Sequence, residues 1–318
     1  MRKKNIVLAL LISASLLLTM GCNPKGSDDD GKGSYNNRGS SYTSANIGIL
    51  KYVPAGRFQR DRTVTNISVI TQPFRMSQHE ITRAQFMAIM GVDPSDTNYS
   101  SGLNDPVQMV NWYHAIAFCN KLSLAEGLTP VYSISVNGTP VDWELLSFSD
   151  IPTEKDDHQF EDWDGVTANW FANGYRLPTE MEWMWAAMGA PADGQGGGTN
   201  TTGYTKDFAG DNGSNAIGDY AVWDYSDGPD AKTSPVGNKL PNELGLYDMS
   251  GNVVEWTWDW HEWDTGTLTD YRGVASGTHR VYRGGGWNHY LFVFSVDVRG
   301  YGDPYDQFQS SGFRVVRQ

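Results

Sequence analysis

The sequence has very little cysteine: its 318 residues contain only Cys22 and Cys119. Two cysteines allow at most one disulfide, which excludes the small secreted scaffolds that depend on several. Cys119 lies in the apolar stretch AIAFCNKL, a setting that is typical of a buried small hydrophobe. We therefore expect Cys119 to be a core residue.

Positive charge is also scarce, with 24 Lys and Arg against 37 Asp and Glu and a formal net charge of −13. Such a chain is poorly suited to phosphate backbones, so we expect no nucleic-acid partner. With 19% charged and 13% aromatic residues, its composition is not that of a disordered chain. Glycine (35) and tryptophan (12) are plentiful, which indicates a loop-rich fold held by large aromatic side chains.

A long hydrophobic run stands at the N-terminus, where basic MRKKN precedes IVLALLISASLLLTM and then Gly21-Cys22. This pattern predicts a lipoprotein signal peptide over residues 1–21, with Cys22 acylated after cleavage because LTMGC resembles a bacterial lipobox. The alternative is an ordinary signal followed by a chance cysteine. We expect a lipid-anchored protein of the bacterial cell envelope, at the outer-membrane surface, whose contact with the membrane is the lipid anchor.

Residues 22–46 are rich in Gly, Ser, Asn and Asp, which predicts a flexible polar tether before a domain over 47–318. Three helices are indicated inside that domain. The first starts behind Thr82 and stops at Gly91, and the second ends near Gly127. The third follows Thr179, which with the Glu three residues later forms a capping-box pattern.

Several spaced motifs occur in one order: HEITRAQFMAIM (79–90), PVQMVNWYHAIAFCNKLS (106–123), YRLPTEMEWMWAA (175–187), GLYDMSGNVVEWTWDW (245–260), RVYRGGGW (280–287) and GFRVV (312–316). Together they resemble the formylglycine-generating (sulfatase-modifying factor) family, a branch of the C-type-lectin-like fold. The resemblance implies an α+β domain with few helices around short antiparallel sheets and a low content of regular secondary structure.

The family includes copper-dependent oxidases whose active site is a cysteine pair shortly after the RGG element. Thiolates are the soft ligands that copper(I) needs. His289 and Phe294 stand at the matching positions, and residues 283–318 contain no cysteine. The chain is therefore not expected to be an enzyme or to require a cofactor.

A related branch of the family makes sulfoxides with a histidine-bound iron. The six histidines lie in no local metal-binding spacing: His79, His114, His158, His261, His279 and His289. A divergent enzyme of the formylglycine-generating or sulfoxide-synthase type remains the alternative function.

The resemblance also implies a possible structural calcium ion at the GNVxEW loop, where Asn252 and Glu255 match the family's oxygen ligands. Oxygen donors on an irregular loop suit calcium. The alternative is a tight turn capped by Asn252 without metal.

The segment of about residues 283–316 lacks four residue types at its centre: Lys, Glu, Met and Trp are all missing between Asn288 and Ser311. These four cannot arise when retroelements randomise adenines in Asn codons of the AAC type, whereas Gln307 and Gln309 fall outside that reachable set and are expected to be fixed. A varied segment framed by RGGxW and GFR resembles the variable lipoproteins that such elements diversify. The predicted variable cassette thus covers about residues 283–316, including its two framing motifs; below, the word cassette refers to its inner part, residues 288–311.

Within the cassette, YLFVFSVDVR taken alone could be a buried strand bounded by glycines, and this alternative holds for part of it. Because Phe292, Phe294, Val296 and Val298 alternate on one face, we expect some of them to be core residues. The aromatic-rich remainder has a composition like that of antibody paratopes. We expect the cassette to bind an unknown ligand, a protein of a host or bacterial surface. The predicted contact residues are His289, Tyr290, Phe292, Val293, Val298, Gly300, Tyr301, Gly302, Asp303, Tyr305, Asp306, Phe308 and Ser310.

Overall fold

The computed structural model describes residues 39–154, 160–190, 198–224 and 231–318. The predicted signal peptide, the predicted lipidation site Cys22, the predicted tether up to residue 38 and His158 lie outside the described residues. Within the described ranges, no helix has the length and apolar character needed to span a bilayer.

The described part of the chain contains five α-helices, most of them short: α1 (Arg83–Met90), α2 (Trp112–Ala125), α3 (Phe160–Asp164), α4 (Glu180–Ala187) and α5 (Ile217–Tyr220). Its strands are β1 (Tyr42–Ser44), β2 (Gly48–Val53), β3 (Gly56–Gln59), β4 (Ile67–Ile70), β5 (Phe74–Ser77), β6 (Tyr132–Ser133), β7 (Ser135–Val136), β8 (Thr139–Pro140), β9 (Thr167–Ala168), β10 (Val254–Trp260), β11 (Thr267–Thr269), β12 (Arg280–Arg283), β13 (Gly300–Gly302), β14 (Ser311–Gly312) and β15 (Val316–Arg317). Single 3₁₀ turns lie at Thr97–Tyr99, Phe148–Asp150, Gly203–Thr205 and Leu291–Phe294.

The domain is built on several small sheets. Two have four strands, in the orders β1-β2-β5-β15 and β13-β12-β10-β14, and one has three, β11-β4-β3. The C-terminal strand β15 pairs antiparallel with β5, so the last residues close the sheet that the first ones open. Few helices around short, mostly antiparallel sheets are what the motif resemblance implied, and that prediction of the fold class is confirmed.

The predicted helix starts are confirmed where local chemistry marks them. The Thr82 hydroxyl accepts from the Gln85 N–H, and Gly91 ends α1 at φ 77°. Thr179 and Glu182 form the expected reciprocal capping box of α4. These signals act over three residues, so the sequence alone contains them.

Helix α2 is buried on nearly all of its sides. Nearly every residue from Trp112 to Ser123 is buried, polar Asn120 included. Its N-cap is Asn111, which forms a capping box with His114. The helix therefore runs through the core, where Cys119 is a buried free thiol, as expected, and desolvation raises its pKa.

The domain begins earlier than the composition predicted. Tyr42–Ser44 forms β1 and pairs with Gly48–Leu50 of β2, although residues up to 46 were assigned to the tether. The Ser44 hydroxyl contacts the carboxylate of Glu126 just after α2. Strand pairing and a distant carboxylate thus order a stretch whose own composition is that of a linker.

Buried His114 makes the stability of the fold sensitive to acid. Its ring stacks on Phe148 at 4.3 Å, and burial lowers its pKa to about 3. A base with a lowered folded-state pKa binds its proton more readily when unfolded. The free energy by which neutral, buried His114 favours the folded state is thus fully present above about pH 6.5. It is lost as the pH falls from there toward about 3, by about 1.4 kcal/mol per pH unit.

Comparing wild type with His114→Gln measures this contribution. Glutamine retains the capping-box acceptor at the third helical position. We expect the variant to be less stable at pH 7, yet to lose less stability than wild type between pH 6.5 and 4.5 in urea denaturation. Parallel stability curves over that range would show that His114 does not carry the acid sensitivity.

Candidate ligand-binding surface

Residues of the family motifs form buried ion pairs that border the cassette. We call the residues of these pairs the frame: Glu180, Glu255, Arg283 and Arg314. Arg314 of GFRVV and Glu255 of GNVVEW are both fully buried, and two guanidinium nitrogens each donate to a Glu255 oxygen at 2.6 Å. The indole of Trp183 donates to the same carboxylate at 2.6 Å. A charge-assisted, bidentate pair of this kind fixes the direction of both backbones.

Asn252 and Glu255 do not fit the calcium site that the resemblance implied. The Glu255 oxygens already accept from Arg314 and Trp183. The Asn252 side chain accepts from the Ser234 N–H and donates to Glu80. Calcium needs several oxygens turned toward one point, whereas these oxygens face protein donors and an internal cation.

A second buried carboxylate ties the cassette to helix α4. Glu180 is 1% exposed and accepts from Nε and Nη2 of Arg299 at 2.8 and 2.5 Å. Nε of Arg283 lies 2.9 Å from the same carboxylate, out of line for a hydrogen bond, so this contact is an ion pair. Arg299 lies within the cassette, and Arg283 comes just before it. Glu180 therefore fixes the start of the cassette and its middle at one point.

The glycines of RGGGW allow the cassette to pack tightly against its frame. Gly285 has φ 72°, and a Cβ there would lie 2.8 Å from the ring of Phe294. A Cβ on Gly286 would lie 2.8 Å from Ser310. Side chains at these positions would push both ends of the cassette away, which explains why small residues precede Trp287.

The positions matching the oxidase cysteines hold Phe294 and His289, neither of which carries a thiol. Phe294 is 1% exposed, in the core beside Gly285. His289 is half-buried, its Nδ1 accepts from the Gly286 N–H at 3.1 Å, and burial lowers its pKa. In the part of the chain that is described, no three His, Cys, Asp or Glu side chains come together as metal ligands.

The stretch YLFVFSVDVR forms no strand before Gly300, but two of its four alternating residues are core, as expected. Leu291–Phe294 is a single 3₁₀ turn, in which Phe292 is 72% exposed while Phe294 points into the core. The Arg283 guanidinium donates to the carbonyls of Val296 and Val298, so these groups are unavailable to a neighbouring strand. Apolar alternation therefore marked two core residues, Phe294 and Val296, but not the backbone conformation.

The structure divides the predicted contact residues into three groups. Tyr290, Phe292, Tyr301 and Phe308 are exposed. Seven more are half-buried at the surface: His289, Val293, Val298, Gly300, Asp303, Tyr305 and Asp306. Gly302 and Ser310 are buried, so their prediction as contacts was wrong. Gly302 faces the Trp256 ring, and Ser310 packs on Gly286.

Tyr305 takes part in the packing of the fold, although its turn-rich neighbourhood predicted a ligand contact. Its ring packs against the core, and its hydroxyl donates to Asp303 at 2.8 Å. The Asp303 N–H in turn donates to Asp306. These hydrogen bonds shape the turn after β13. Tyr301, within β13, remains exposed.

Two cassette residues with clear roles were absent from the prediction. Leu291 is exposed between Tyr290 and Phe292, whose rings stack at 6.0 Å, so the three form one apolar tip. Their adjacency in sequence was the available signal. Arg299 anchors the cassette through Glu180, and this role could not be found locally because 119 residues separate the pair.

Comparison with known proteins gives a consistent assignment. Residues 42–318 match the sulfatase-modifying factor enzyme 1-like domain. In structure the chain is similar to Treponema denticola variable protein 1, with a TM-score of 0.74 and 34% identity over 87% of this chain and 98% of that one. The resemblance to a treponemal variable protein is thereby confirmed.

Two proteins of similar sequence are named for different functions. The chaperone protein LppX of Paenibacillus barcinonensis is 32% identical over 86% of this chain and 92% of its own length. A formylglycine-generating enzyme of Thermomonospora curvata is 33% identical, but over 48% of this chain and 53% of the enzyme. Motifs, sheets and comparisons agree that the chain belongs to the sulfatase-modifying factor enzyme 1-like family, with its C-type-lectin-like fold.

Proposed function

We propose that this protein is a non-catalytic, lipid-anchored display protein whose cassette binds a protein ligand, and that a retroelement diversifies the cassette. The observation that carries the proposal is the contrast between frame and cassette. The frame residues Glu180, Glu255 and Arg314 are buried in ion pairs, whereas the cassette presents Tyr290, Phe292 and Tyr301 to solvent. A rigid frame allows side chains on its surface to vary without loss of the fold.

The chemistry of the exposed side chains supports binding to a protein. Tyrosine and phenylalanine provide large contact areas at low entropic cost and are frequent at the centres of protein interfaces. Phe292 is 72% exposed, and its ring stacks on Tyr290, so the apolar tip is shaped before a ligand arrives. Catalysis by the family's cysteine pair is not supported, since His289 and Phe294 hold those positions.

Replacing the exposed aromatics together tests the proposal. We expect a Tyr290→Ala, Phe292→Ala, Tyr301→Ala variant to lose about tenfold or more in affinity for random phage-displayed peptides selected on the wild-type full chain. Its unfolding free energy should fall by no more than about 1–2 kcal/mol, because exposed side chains contribute little to the fold. Phage titration and thermal denaturation measure the two effects.

A control variant removes apolar groups outside the cassette that are at least as exposed: Val64→Ala, Leu145→Ala and Phe171→Ala, at 75%, 79% and 95% exposure. This control should keep the binding. Equal losses in both variants, or unfolding of the cassette variant, would contradict the proposal. So would copper- and oxygen-dependent oxidation of a cysteine peptide by the wild-type protein.

A further inference from the structure

A row of rings leads out of the cassette onto a neighbouring loop. Tyr301 lies 4.1 Å from the ring of His261, and His261 lies 5.5 Å from that of Trp263. The His279 ring is also 5.3 Å from that of Tyr301, and its Nε2 lies 3.5 Å from Asp303. The row is therefore continuous from cassette residues to residues that precede the cassette by many positions in the chain.

Trp263 is the accessible end of this row. It is 74% exposed, whereas the three tryptophans of the preceding strand β10 (Val254–Trp260) are buried. Leaving so large an apolar ring in water has no benefit for folding. Exposed tryptophan beside exposed tyrosine is the arrangement found at the energetic centres of protein interfaces.

The loop that carries Trp263 is held in place from both sides. The Arg299 guanidinium donates to the Glu262 carbonyl at 2.7 Å and lies 5.6 Å from the Trp263 ring. The Gly266 carbonyl accepts from Arg60 at 2.9 Å, and its N–H donates to Asn66 at 2.8 Å. Trp263 is thus presented on a fixed loop, and a ligand need not order it.

The charges around the row are complementary to a cation. Glu262 is exposed beside Trp263, and Asp303 lies at the other end with a side chain 36% exposed. Three arginines near this end of the sheet are already engaged: Arg299 pairs with Glu180, Arg60 donates to the Gly266 carbonyl, and Arg280 is buried between the rings of Trp112 and Trp260. Burial lowers the pKa of His261, which keeps its imidazole neutral near pH 7.

We propose that the ligand surface continues from the cassette onto Trp263, and that this part receives a lysine or arginine side chain of a protein ligand. The inference rests on the proposed binding function and specifies the chemistry of the partner. A cationic side chain would pack against the aromatic row and face Asp303 and Glu262, as aromatic faces and carboxylates both favour cations. The protein's net charge of −13 favours the encounter with a basic partner.

Random peptides displayed on phage and selected on the full chain test the inference without a known ligand. We expect the selected peptides to be enriched in Lys and Arg over Asp and Glu, and their binding to weaken as salt is raised. Trp263→Ala should reduce their affinity about tenfold. Phe171→Ala, a matched exposed aromatic at 95% exposure, should leave it unchanged.

Asp303→Asn separates the contribution of charge, since the amide oxygen can still accept from the Tyr305 hydroxyl. This variant should lose affinity for the basic peptides while its thermal midpoint stays close to that of wild type. Selected peptides that lack basic residues, or that bind Trp263→Ala as well as wild type, overturn the inference. If those peptides still require Tyr290, Phe292 and Tyr301, the proposed binding function stands without it, whereas independence from all of these residues contradicts both.

Discussion

Replacing Arg314 by methionine should lower the unfolding free energy by about 3–5 kcal/mol, the usual effect of removing one partner of a buried ion pair. The substitution leaves the Glu255 carboxylate, fully buried, with only the Trp183 indole as donor. Two further buried carboxylates lie nearby: burial, Asp248 and Glu255 raise the pKa of Glu80, and Arg314 opposes that effect. Without Arg314, these three buried acids lose the guanidinium that offsets the charge of each of them.

Guanidinium denaturation followed by circular dichroism measures this effect, with Arg317→Met as the matched control. Arg317 is the neighbouring partly exposed arginine, with its guanidinium 4.3 Å from the Tyr42 ring, and its loss should cost less than about 1 kcal/mol. Adding Glu255→Gln to Arg314→Met should restore part of the loss, because the unpaired charge is then removed. An Arg314 variant no less stable than the Arg317 variant would show that the pair does not hold the frame.

The sequence allowed accurate predictions where the signal and the structure lie within a few residues of each other. The caps at Thr82 and Thr179 and the stop at Gly91 depend on hydrogen bonds across three residues or on one φ angle. The motif set identified the fold because it samples the chain from residue 79 to 316. Its order was informative without any knowledge of the contacts.

The errors arose where distant parts of the chain decide the outcome. Tyr42–Ser44 is linker-like in composition but becomes a strand because β2 pairs with it. The alternation of Phe292, Phe294, Val296 and Val298 left open which of them are core, and only Phe294 and Val296 are buried, in a stretch where Arg283 donates to the Val298 carbonyl. The burial of Ser310 follows from its contact with Gly286, which composition cannot reveal.

The sequence indicated the part of the proposed surface that lies in the cassette, but not the part beyond it. The absence of Lys, Glu, Met and Trp over residues 288–311 is the pattern from which the cassette was proposed, and Tyr290, Phe292 and Tyr301 within it are exposed. Trp263 belongs to another loop, so only the folded sheet brings its ring near Tyr301. The same holds for the ion pairs: Glu255 and Arg314 are 59 residues apart.

Glu180→Gln should destabilise the protein by about 3–5 kcal/mol and loosen the cassette before the rest of the domain. The neutral side chain leaves Arg283 and Arg299 as like charges around an uncharged amide. Arg283 also donates to the carbonyls of Val296 and Val298, so its displacement releases the segment leading into β13. We expect amide exchange in Gly300–Gly302 to accelerate more than in the distant strand pair of β2 and β5.

Glu243→Gln is the matched control, because Glu243 pairs with Lys206 in a contact that is 34% exposed on the glutamate side. An exposed pair contributes about 0–1 kcal/mol, so this variant should leave both stability and exchange nearly unchanged. A uniform acceleration across all strands in Glu180→Gln would mean that Glu180 supports the domain as a whole. Faster exchange confined to the cassette, with peptide binding lost in parallel, would show that a rigid frame under the variable side chains is a condition for binding.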